Sequence, residues 1–76
     1  MKTSEIIDIN ITANNMRDVR LKNNMTKENL SHALNGVSIE LINKIENGEF
    51  IPTLEYVFDF CEYFNVSIDS VIVSIL

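Results

Sequence analysis

Seventy-six residues, 46% hydrophobic and 22% charged, are enough for one small domain and too few for a second, and the balance is that of a folded chain rather than a disordered one. The net charge of −5 runs opposite to the usual electrostatic signature of a nucleic-acid binder. A single cysteine, Cys61, excludes an internal disulfide and a thiolate metal cluster and points to the reducing cytoplasm.

The chain opens with "MKTSEIIDIN", which interleaves acids with isoleucines and lacks the basic start and apolar run of a signal peptide. No apolar run approaches the length of a membrane span, so a soluble, cytoplasmic protein is expected. Ile7, Ile9 and Ile11 alternate, as in a strand or an extended arm, and residues 1–12 are set apart as that arm. Residues 13–76 then form the domain proper.

Thr12 is positioned to cap a first helix over 13–23, with Met16, Val19 and Arg20 on one face and Asn23-Asn24 ending it. Thr26 caps a second helix, in which Glu28 complements the first turn and Leu30, Ala33 and Leu34 stack at helical spacing. "NGV" (35–37) is turn chemistry, because Asn and Gly tolerate positive φ. Ser38 caps a third helix with an apolar stripe of Leu41, Ile42 and Ile45, and "NGEFIP" (47–52) breaks it. Thr53 caps a fourth, whose buried face is expected to be Leu54, Val57, Phe58, Cys61 and Phe64, closed by a left-handed Asn65. Ser67 caps a fifth, short helix. Near the end, Ile68, Val71, Ile72 and Ile75 fit helical spacing, whereas Val71, Val73 and Ile75 fit a strand, so a small terminal strand pair and a helix both stay open. The fold class is all-α: a compact globule of five helices with tight connections.

Charge is divided unevenly along this layout. Residues 1–15 carry −1, residues 16–48 carry +1 and hold five of the six basic residues, and residues 49–76 carry −5 with no base at all. A charged partner therefore meets the central segment differently from the C-terminal one.

From "MRDVRLKNNMTKENLSHAL" through "GVSIELINKIENG" to "PTLEYVFDFCEYFNVSID", about residues 16–71, the sequence resembles the lambda-repressor-like (Cro-type, xenobiotic-response-element) helix-turn-helix family. The order and spacing of Arg20, Met25-Thr26, Leu30, Leu34, Val37-Ser38, Ile42, "KIENG", "PTLE" and "FNVSID" carry the likeness. The resemblance implies a five-helix domain in which helices 2 and 3 form the DNA-binding pair, helix 3 lies in the major groove, and dimers occupy an operator. It also implies a buried ion pair, which would fall on Arg20 and Glu46. On the same match Thr26 and Lys27 face phosphate, and Ser38, Ile39, Glu40 and Lys44 face base edges. Lys donates to guanine, Glu accepts from cytosine, and an apolar side chain meets the thymine methyl.

The pattern is not followed everywhere. Asn35 stands where the turn glycine is usual and Gly36 follows, so the turn is one residue longer. Ile39, Glu40 and Glu49 replace side chains that are usually polar or basic. Three of the candidates also have a plain alternative: Thr26 as an ordinary N-cap, Lys27 as a solvated charge, Glu40 as a partner of the helix dipole. His32 is expected on an exposed helix face and Cys61 in the core, since one histidine and one cysteine build no metal site. The aromatic residues of "EYVFDFCEYF" are expected in the core and at a dimer rim, because the stretch is too acidic for base stacking. No nucleophile–base pair, Gly-rich phosphate loop or catalytic carboxylate cluster is present, so neither an enzyme nor a cofactor is expected. The sequence thus favours a homodimeric regulator, of repressor type, bound to double-stranded operator DNA. The competing reading keeps the fold but turns it to protein–protein contact, as in an antirepressor or antitoxin-like partner.

Overall fold

The computed structural model describes residues 7–73. Four α-helices follow one another: α1 (Ile9–Lys22), α2 (Lys27–Ala33), α3 (Ile39–Glu46) and α4 (Leu54–Phe64), with a one-turn 3₁₀ helix at Ile68–Ser70. The fifth helix is thus a single 3₁₀ turn, capped by Ser67 as its sequence suggests, with Ser67 Oγ accepting from the Ser70 amide. The class is all-α.

α1 starts at Ile9 rather than residue 13, and Asp8, not Thr12, is its cap: the Asp8 carboxylate accepts from the Ile11 amide at 3.0 Å. An arm boundary at residue 12 therefore falls inside the helix. Thr12 is 1% exposed, and its hydroxyl accepts instead from the Val73 amide at 3.2 Å. The Asp8 amide donates to the Val73 carbonyl at 2.7 Å, Asn15 Nδ2 donates to the Val71 carbonyl at 3.1 Å, and Ile7 sits in an isolated β-bridge. Residues 71–73 are thus tied to Asp8 and to the side of α1. The remainder of a terminal strand pair would fall on residues 1–6 and 74–76, outside the described residues.

The central elements follow their local signals. Thr26 Oγ1 accepts from the Asn29 amide while Asn29 Oδ1 accepts from the Thr26 amide, a reciprocal capping box with Asn in place of Glu or Gln. The turn to α3 uses two consecutive left-handed residues, Asn35 at φ 60° and Gly36 at φ 83°. It is pinned at both ends: the Gly36 amide donates to the Ser31 carbonyl at 2.8 Å, and Ser31 Oγ donates to the Val37 carbonyl at 2.6 Å. The extra residue is thereby absorbed within the loop, and α3 restarts on the Ser38 cap.

The core gathers Met16 of α1, Leu30 and Leu34, Ile42 and Ile45 of α3, Val57, Phe60 and Cys61 of α4, and Val71. α4 departs from its expected face. Tyr56, Val57, Phe60 and Cys61 are buried, with Phe64 packed against them, whereas Leu54 is 70% and Phe58 51% exposed. The helix carries two adjacent apolar stripes, and the core takes the one through Val57, Phe60 and Phe64. Burial pushes the Cys61 thiol and, more strongly, the Tyr56 phenol above their ordinary values. Asn65, at φ 55°, ends α4 in the left-handed conformation, and the Val66 amide closes back on the Cys61 carbonyl at 3.0 Å.

Candidate nucleic-acid interface

Arg20, near the end of α1, and Glu46, the last residue of α3, form a two-point ion pair: Nε to Oε2 at 2.8 Å and Nη2 to Oε1 at 3.0 Å. Their side chains are 9% and 2% exposed. Arg20 Nη1 donates onward to the Met25 carbonyl at 2.9 Å, so one guanidinium ties α1, the loop before α2 and the end of α3. The hydrogen bonds to Glu46 also raise the Arg20 pKa, outweighing the desolvation that opposes it. Arg17, one turn earlier, donates to the Glu46 carbonyl and brings its Nε within 3.9 Å of the carboxylate. Sequence reasoning missed Arg17, although its i−3 spacing from Arg20 puts both on one face of α1. The frame fixes the α3 terminus relative to α1.

On that frame α3 turns Ile42 and Ile45 inward, leaving Ser38, Ile39 and Glu40 exposed and Lys44 part-exposed. The residues proposed to face bases therefore share the outward side of one helix. Their electrostatics are less open than the sequence suggests. Glu40 Oε1 lies 3.3 Å from Lys44 Nζ in an i,i+4 pair, so the acid and the base on the outward row largely neutralise each other. Lys27, at the start of α2, donates to Asn43 Oδ1 at 2.5 Å. The Thr26 hydroxyl is occupied as a cap, and Glu49 is exposed. Ser38 Oγ is likewise held in its cap by the Leu41 amide at 3.1 Å.

Two further side chains belong to this surface and were not singled out. Asn43 shares α3's outward side with Ile39 and Glu40 by its i+4 and i+3 spacing, a signal available in the sequence. Phe50 had no such signal. It stands 47% exposed after the break, its ring centroid 4.8 Å from Lys44 Nζ. Gly48 permits this loop with φ 75°, and the Glu49 and Phe50 amides both donate to the Lys44 carbonyl, at 2.8 and 3.2 Å. No cluster of three or more potential metal ligands occurs among the described residues, and no helix there is long and apolar enough to cross a membrane.

Two short helices joined by a pinned left-handed turn, the second braced by a buried ion pair and presenting its outer row to solvent, define a helix-turn-helix module. The family model described as helix-turn-helix matches residues 16–71. The chain belongs to that lambda-repressor-like helix-turn-helix family, whose members are DNA-binding regulators. Searches of curated proteins and of solved structures returned no match.

Proposed function

We propose that the protein is a cytoplasmic transcription regulator, a repressor, that binds operator DNA as a homodimer with α3 in the major groove and acts by occlusion or recruitment. The observation that carries this reading is the outward row of α3 on a helix held by the Arg20–Glu46 pair, with Lys44 accessible at its end. In this reading Lys44 donates to a base, Lys27 and Thr26 meet phosphate, and Ser38, Ile39 and Glu40 complete the base-facing set. Dimerisation is proposed to use the terminal region: Ile7, Ile68 and Ile72 line one apolar groove of about 320 Å³ with Leu54 and Phe58. Basic residues are few, and Arg17, Arg20, Lys27 and Lys44 already have partners within the fold, so non-specific affinity should be weak, with a salt slope on the order of −2 to −5 per dimer.

Selection from random duplexes at low salt tests the proposal. Lys44→Ala should cost about 1–3 kcal/mol on the selected duplex and relax preference at one base pair. Glu40→Gln separates two roles for Glu40: a shift of preference at one position marks a base contact, whereas a uniform gain marks a partner that merely occupies Lys44. A second reading, a protein-interaction module, is favoured by the same apolar groove and by the absence of any base in residues 49–76. It would bind its partner with little salt dependence. A folded protein that selects no duplex turns the assignment to that reading.

A further inference from the structure

We infer that Phe50 is a positioning residue for Lys44, holding its ammonium group at the place from which it meets a base; the inference rests on the DNA-binding reading above. A large aromatic ring left 47% exposed beside the outward row of α3 has no role in the core. Its location is not accidental to the loop. The Glu49 and Phe50 amides both close on the carbonyl of Lys44 itself, so the backbone of the residue being positioned anchors the residue that positions it. The ring then lies 4.8 Å from the Lys44 ammonium, within the range of a cation–π contact.

Lysine is a compact charge on a flexible four-carbon stem, and an unsupported one samples many positions over a groove. Two groups restrain this one. Glu40, its carboxylate 3.3 Å from the ammonium, pairs with it by charge and is itself 79% exposed, so approaching phosphate repels it. The ring attracts the ammonium through its electron-rich face and occupies no specific donor, so it goes on holding Lys44 while the N–H groups turn to a base acceptor. Glu40 is the partner that yields and Phe50 the partner that stays. The sequence shows neither role, because nothing in "NGEF" says where the ring folds back.

The test uses the full chain, with Phe50→Leu, Lys44→Met and the double variant, each checked for an unchanged thermal melt. Without DNA, the Lys44 side-chain methylene protons should show an upfield ring-current shift in the parent protein that disappears in Phe50→Leu; no such shift in the parent protein overturns the inference. On the duplex selected by the parent protein, Phe50→Leu should weaken binding about two- to fivefold, the size of an exposed cation–π contact. It should also flatten preference at the same base pair as Lys44→Met, and the double variant should discriminate there no worse than Lys44→Met alone. Preference at that pair left intact in Phe50→Leu overturns the inference while the DNA-binding reading stands. A parent protein that selects no duplex overturns both.

Discussion

Replacing Glu46 by Gln keeps the size of the side chain and removes its charge, and the structure sets the consequence. Arg20 has three hydrogen bonds, two to the Glu46 carboxylate and one to the Met25 carbonyl. A carboxamide can accept one of the first two but presents an N–H₂ group to the other, opposing donor to donor. The Arg20 side chain, 9% exposed, has little access to water, and Arg17 beside it is a second cation rather than a counter-charge. Breaking a buried pair in this way costs about 3–5 kcal/mol. A domain of 76 residues has roughly 4–11 kcal/mol in total, so the variant should be marginal or unfolded. In urea, with a slope of about 1 kcal/mol per molar, the midpoint followed by circular dichroism should fall by about 3 M or vanish. The double variant Arg20→Met with Glu46→Leu should recover much of the loss, because paired apolar side chains leave no orphaned charge. A Glu46→Gln midpoint within about 0.5 M of the parent would refute the argument, as would a double variant less stable than Glu46→Gln.

Gly36 has φ 83° and open space where a Cβ would stand, so Gly36→Ala should lose only the left-handed backbone penalty of about 1–2 kcal/mol, read as a urea midpoint shift with an unchanged slope. The Tyr56 phenol, raised above 10.0 mainly by burial and next by the Glu46 carboxylate, stays protonated in the folded state after the unfolded chain has lost its proton. Its stabilising contribution is therefore complete below pH 10 and declines above it by about 1.4 kcal/mol per pH unit, and Tyr56→Phe should remove that alkaline slope. Sedimentation at tens of micromolar should show a dimer, and Phe58→Glu should return a monomer with its fold intact; a monomeric parent protein at that concentration would dismiss the terminal interface.

Short-range chemistry was legible in the sequence. Thr26, Ser38, Thr53 and Ser67 each cap the element that follows, and Asn35, Gly36, Gly48 and Asn65 supply positive φ at its breaks, because a cap or a turn depends on hydrogen bonds within three or four residues. The order and spacing of the motifs was enough to place the chain in its family, and the candidate DNA-facing residues followed from that resemblance. Tertiary structure decided the choices between locally equal alternatives. Asp8 outcompetes Thr12 as the α1 cap because pairing with Val73 brings Asp8 to the helix start and draws the Thr12 hydroxyl inward. α4 buries Phe60 and leaves Phe58 in solvent because only one of its two apolar stripes meets the core, a preference that periodicity along a single helix does not express. Arg17 reaches Glu46, Lys27 reaches Asn43 and the Phe50 ring reaches Lys44 only once the loops have folded back, which is how a surface of ordinary charged residues acquires its fixed partners.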